Sequence, residues 1–66
     1  MIKFDKLFAL IEQDHKGPTN WLRLNGMHPN VVNKLRKNER VNTDTIDRLC
    51  DLLHCQPGDI MEYVEE

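Results

Sequence analysis

Residues 18–37 read PTNWLRLNGMHPNVVNKLRK, and the architecture of the chain follows from them. This stretch divides at Asn25-Gly26 into two short segments, and each opens on a proline, Pro18 and Pro29. Proline suits the first turn of a helix, where its missing N–H has no partner to lose. Glycine takes the positive φ that ends a helix at low cost. The pattern therefore predicts helices over about 18–24 and 29–37, joined by a turn tight enough for them to pack at a steep angle. Trp21, Met27, Val32 and Leu35 fall at the buried spacings of that pair. Pro29, Asn30, Asn33, Lys34 and Lys37 are left on the outer side of the second helix.

Upstream, Phe4, Leu7, Phe8 and Ile11 recur at i, i+3, i+4 and i+7 among charged and polar neighbours, the stripe of an amphipathic helix over about 4–14 that Gly17 closes. Downstream, residues 38–42 are polar and read as a loop anchored by Val41. Thr43 is the expected N-cap of a helix over about 44–54, with Asp44 at the positive end of its dipole and Ile46, Leu49, Cys50 and Leu53 facing inward. Gln56-Pro57-Gly58-Asp59 opens a last short helix at about 57–61. The alternating residues 61–64 are expected to pair as a strand with residues 2–4.

With 66 residues, 39% hydrophobic and 30% charged, the chain reads as one folded domain over 1–66. A chain of this size buries only about 60% of its unfolded surface, so a deep cavity would compete with the core for the same side chains. Neither an enzyme nor a small-molecule substrate is expected. No apolar run approaches the roughly 18–20 residues needed to cross a bilayer, and the N-terminus lacks a basic stretch followed by an apolar segment, so the cytoplasm is the expected compartment and no membrane partner is implied. Cys50 and Cys55 read as two buried thiols rather than a bridge. His54 beside them invites a metal reading, but a stable zinc site wants four ligands and no second pair is near in sequence, so neither metal nor cofactor is expected. His15 and His28 are isolated, and no side chain has the framing of a nucleophile or an acid–base pair.

The net charge of −2 conceals a segregated distribution. Residues 1–15 sum to −1. Residues 16–42 carry six basic side chains against Glu39 alone, a sum of +5, together with all six asparagines. Residues 43–66 carry Arg48 against seven acids, a sum of −6. Because phosphate attraction follows local charge, such a chain can offer one basic face to a polyanion while its acidic remainder limits non-specific sticking.

Two motifs then carry a resemblance that spans nearly the whole chain. N-G-M-x-x-x-x-V-x-x-L-R-K-N over residues 25–38, and the more specific T-D-T-I-D-x-L-C-x-x-L-x-C-Q-P-G-D-I-M-E-Y over residues 43–63, resemble the phage-repressor (Cro-like, xenobiotic-response-element) helix-turn-helix regulators. The resemblance implies an all-α, five-helix, repressor-like domain, to which the alternation at residues 61–64 adds the short terminal strand pairing. It further implies binding to double-stranded DNA through the helix at 29–37, and it leaves a homodimer on paired half-sites open. Departures cluster on the DNA side: Pro18 stands where a polar residue commonly opens the second helix, Leu22 and Leu24 replace small or polar residues, and His28-Pro29 replaces a Ser-polar start. They fit either drift toward an unusual operator or partner, or a redesigned face on a natural scaffold; the absence of serine leans toward redesign.

Roles follow from side-chain chemistry. Asparagine bonds the N6/N7 edge of adenine, lysine donates to guanine O6 or N7, and an apolar group meets a thymine methyl. That chemistry assigns base reading to Asn30, Asn33 and Lys34, with Pro29 and Val31 for apolar contact. Phosphate contacts fall to Thr19, Asn20 and Arg23 near the second helix, and to His28, Lys37, Asn38, Arg40, Asn42 and Thr43 around the third helix and its following loop. Arg36, next to the inward Leu35, is read instead as a partner for an acid such as Asp47. The leading expectation is a sequence-specific, repressor-like DNA-binding domain. The rival is a protein-interaction module gripping a partner through Leu22, Leu24 and Met27, and the third class is a thiol or metal sensor at Cys50 and Cys55.

Overall fold

Among residues 1–65, which are those the computed structural model describes, a two-strand ribbon ties together the ends of a chain of five helices. The order is β1 (Ile2–Lys3), α1 (Asp5–Glu12), α2 (Pro18–Leu24), α3 (Pro29–Arg36), α4 (Thr43–Leu53), α5 (Pro57–Ile60) and β2 (Glu62–Tyr63). The strands are antiparallel, with Ile2 opposite Tyr63 and Lys3 opposite Glu62. Val64 N–H donates to the Met1 carbonyl at 2.8 Å and the Met1 ammonium donates to the Val64 carbonyl at 2.8 Å, so the ladder runs one pair further. The expected strand at 61–64 is thus present but short.

Leu7 and Ile11 of α1, Val32 and Leu35 of α3 and Leu49 of α4 are almost fully buried, as their spacing predicts, with Phe4 and Met27 beside them. Leu22 of α2, expected on the outer side, and Ile60 of α5 complete the core. Burying one such side chain contributes roughly 1.5–3 kcal/mol, enough to fix which face of a two-turn helix turns inward. In this framework α1 packs on α2 and α5, α2 on α3, and α4 on α5. No helix of the described residues is long and apolar enough to cross a membrane.

Several boundaries and burials differ from the sequence reading. α1 begins at Asp5 because Phe4 turns into the core and leaves the helical conformation, at φ −112° and ψ 21°. α4 begins at Thr43 rather than Asp44, since Asn42 is the N-cap: its Oδ1 accepts from Thr45 N at 3.0 Å and from Thr45 Oγ1 at 3.1 Å. Trp21 is half-buried at the edge of the core rather than within it, and stacks on the exposed His15 with ring centroids 4.7 Å apart. His15, isolated in sequence, has an aromatic partner in space. Leu22 and Met27 are core, so of the three residues assigned to a protein-gripping face only Leu24 is available, 77% exposed. Cys50 and Val41 pack against the core half-buried.

Candidate nucleic-acid interface

The geometry of α2 and α3 is set at Gly26. Its φ is +89°, and its N–H donates to the Arg23 carbonyl at 3.1 Å while Met27 N–H donates to the Leu22 carbonyl at 3.0 Å. This pair of bonds is a Schellman closure, in which a left-handed residue satisfies the last carbonyls of a helix and turns the chain sharply. Asn25 assists by donating from Nδ2 to the Trp21 carbonyl at 2.8 Å. A Cβ at position 26 would lie 2.7 Å from Nη2 of Arg48, so the guanidinium of α4 closes over the turn. Nothing in the spacing of the sequence marks that contact, because Arg48 lies in the acidic third of the chain.

The next helix starts from a second device. His28 is the N-cap of α3, in extended conformation, and its Nδ1 accepts from Asn30 N at 3.1 Å. A neutral imidazole accepting through Nδ1 carries its proton on Nε2, which is left as a donor at the exposed start of the helix. Pro29 follows at the first helical position. Val32 and Leu35 are buried at 1% and 0% exposure, which fixes the rotation of α3 and turns Pro29, Asn30, Asn33, Lys34 and Lys37 to solvent. Val31 is the exception among the base-reading candidates: it is half-buried against the core.

α3 ends as α2 does. Asn38 takes φ +57°, its N–H donates to the Leu35 carbonyl at 3.3 Å, and Glu39 N–H donates to the Lys34 carbonyl at 2.8 Å. Asparagine tolerates the left-handed region better than other non-glycine residues. Its side chain is also engaged, since Oδ1 accepts from Phe4 N at 2.8 Å and ties the end of α3 to the start of α1. Asn38 is half-buried in this position, with only its amide nitrogen left for a phosphate. Asn42 is similar, its oxygen occupied by the cap of α4.

The loop then brings groups together that the sequence assigned separately. Lys34, Arg40, Asn42 and Thr45 line one open depression together with Val31 and Val41, bounded by α3, the loop and the first turn of α4. Two cations there lie beside the positive end of a helix eleven residues long, an arrangement that attracts anions. Thr45, absent from the expected set, belongs to this depression, and its position three residues after the cap is the only signal in the sequence. Thr43 is exposed at the first turn of α4. Around α2, Asn20 and Arg23 are exposed and Thr19 is half-buried at the first turn. Arg36 is exposed, and among the described residues its side chain makes no hydrogen bond to Asp47, so the expected pairing is not formed. Among the described residues no group of three or more His, Cys, Asp or Glu side chains could hold a metal ion.

A helix pair locked by a glycine turn, with a polar, cation-bearing outer face on the second helix, is the arrangement that the spacing of residues 18–37 predicts. The family model of the Cro/C1-type HTH DNA-binding domain matches residues 21–66. No curated protein matches the chain, and no solved structure does. The match begins in α2 and runs through the turn, α3, the loop, α4 and the C-terminal elements, so this chain belongs to the Cro/C1-type helix-turn-helix DNA-binding domains.

Proposed function

We propose that the chain, acting as one unit, binds duplex DNA sequence-specifically by laying α3 in the major groove, and that it represses transcription by occupying its site. One observation carries the reading: α3 buries Val32 and Leu35 completely while Asn30, Asn33, Lys34 and Lys37 stand exposed along its other side. In this reading Asn30, Asn33 and Lys34 contact base edges, with Pro29 against a thymine methyl and Val31 contributing only at the margin, as its partial burial dictates. Arg23, Lys37, Arg40 and the Nε2–H of His28 hold phosphates, joined by Thr19, Asn20, Thr43 and the free amide nitrogens of Asn38 and Asn42. Cytoplasmic action on the nucleoid accompanies this reading.

An eight-residue helix is about 12 Å long and covers roughly four base pairs, too few to select one site among the millions of competitors in a genome. The proposal therefore includes two copies on half-sites about one helical turn apart. Selection from a randomised duplex pool at two salt concentrations tests both clauses. The expected result is a selected motif repeated with inverted symmetry at 10–10.5 base-pair spacing, with affinity falling as salt rises. Retention of all duplexes equally would defeat sequence-specific reading, and a single unrepeated half-site would defeat the pairing.

A further inference from the structure

The only two cysteines of the chain meet at the corner between α4 and α5. His54 follows α4 in the left-handed conformation, φ +52° and ψ +52°. Its N–H donates to the Cys50 carbonyl, and Cys55 N–H donates to the same carbonyl at 3.1 Å. The second bond is the long closure of a Schellman corner, with Cys50 and Cys55 at the two positions whose side chains ordinarily touch across it. At the corner after α2 the same two positions hold Leu22 and Met27, both buried in the core.

A bound on the separation follows from backbone dimensions. From Cys50 Cα to its carbonyl oxygen is about 2.4 Å, and from Cys55 N to Cα about 1.5 Å. Joined through the 3.1 Å hydrogen bond, the two α-carbons lie no more than about 7 Å apart even if all three segments were collinear, and bending at both ends shortens the span. Disulfides bridge Cα separations of 4.4–6.8 Å. Both thiols are free and half-buried against the core, neither sealed from solvent nor fully exposed.

We propose that Cys50 and Cys55 form an intramolecular disulfide on exposure to a low-molecular-weight disulfide such as glutathione disulfide, making the α4–α5 corner an oxidative modification site. The deprotonated thiolate of one cysteine attacks a sulfur of glutathione disulfide and expels one glutathione thiolate. The second cysteine thiolate then attacks the protein sulfur of the mixed disulfide and expels the other glutathione thiolate. Two protein thiols are oxidised, one glutathione disulfide is reduced, and the two protons released balance the two expelled thiolates. Either order needs Cys55 as a thiolate once. Burial, Cys50 beside it and the charge of Asp59 all push the Cys55 thiol above its ordinary value. Closure is thus slow at neutral pH and accelerates about tenfold per pH unit toward pH 9, as the thiolate fraction grows.

Mass spectrometry of the intact chain after incubation with glutathione disulfide tests the proposal. The expected product is a monomer lighter by two hydrogens with no glutathione retained, reverted by dithiothreitol. The Cys50→Ala variant should instead retain one glutathione on Cys55, since nothing is left to expel it. A wild-type chain that keeps glutathione on both cysteines, links to a second chain or remains unmodified at pH 9 would overturn the proposal. The melting temperature gives a second readout. Closing so short a loop should raise it by roughly 5–10 °C, and a fall on oxidation would show that the corner does not accept the bond.

Discussion

Replacing Gly26 with alanine separates two effects that meet at one atom. The backbone there sits at φ +89°, a region that costs an L-residue roughly 1–2 kcal/mol. Alanine also narrows the unfolded ensemble, which returns about 0.4–1 kcal/mol, so conformation alone should cost about 1 kcal/mol. The new Cβ would in addition approach Nη2 of Arg48 to 2.7 Å, closer than any stable contact. That atom is the far end of a flexible side chain, and only the guanidinium has to move. The steric share is therefore small, and Gly26→Ala should destabilise by about 1–2 kcal/mol in total. For a chain this short that is a fall in melting temperature of roughly 4–8 °C for each kcal/mol. Urea titration of wild type, Gly26→Ala, Arg48→Ala and the double variant gives the decisive comparison. The glycine substitution should cost nearly the same in both backgrounds, with a coupling below about 0.5 kcal/mol. A Gly26→Ala chain as stable as wild type would refute the conformational reasoning. Full rescue by Arg48→Ala would show that the clash, rather than the backbone, dominates.

Asn38→Ala should cost about 1–3 kcal/mol in the same assay. It removes the acceptor of Phe4 N–H at a buried residue and places alanine at φ +57°; a loss under about 0.5 kcal/mol would mean water replaces the amide there. His54→Gly should raise stability by about 1 kcal/mol, because glycine adopts the left-handed corner without penalty; an unchanged midpoint would count against strain at His54. Lys34→Ala or Asn30→Ala should weaken binding to the selected duplex by about 1–3 kcal/mol and relax one base position, whereas equal loss on every sequence would reassign the residue to the backbone set. Lys37→Ala and Arg40→Ala should each reduce the salt slope by about one on any duplex, read by fluorescence anisotropy across a salt series, and an unchanged slope would remove that residue from the phosphate set.

Periodicity made the helices legible, and their order followed from punctuation by Gly17, Gly26, Pro18, Pro29 and Pro57. Both signals are local: a side chain three or four residues from the next on one helix face must go in or out with it. Burial of Leu7, Ile11, Val32, Leu35 and Leu49 was therefore readable from spacing alone. The short pairing of the chain ends was readable as well, as alternation at residues 61–64. Where local chemistry offered near-equal choices, the reading slipped. Asn42 and Thr43 both belong to the residue types that cap helices, and it is Asn42 whose Oδ1 reaches Thr45 N. Trp21 has core spacing, but it lies where α2 meets the end of α1 and finds His15 instead of a closed interior.

Residue type at fixed short separations is enough to give the number and order of the helices, the inward faces of α1, α3 and α4, the basic window at residues 16–42 and the family resemblance. The inward face of α2 does not follow from it, since Leu22 and not Trp21 is fully buried. Which asparagine oxygens stay unengaged emerges only in the folded chain, through a contact between distant elements for Asn38 and through the realised cap geometry for Asn42. Asn38 and Asn42 look equivalent to Asn30 and Asn33 along the chain. In space the first two spend their oxygens on Phe4 N–H and the cap of α4, while the second two stand exposed on α3. The closing of Arg48 over Gly26, and the depression that joins Lys34 to Arg40 and Thr45, were likewise invisible. These contacts join elements whose separation in sequence carries no periodic signal, so they exist only once the buried leucines have fixed how the helices lie against one another.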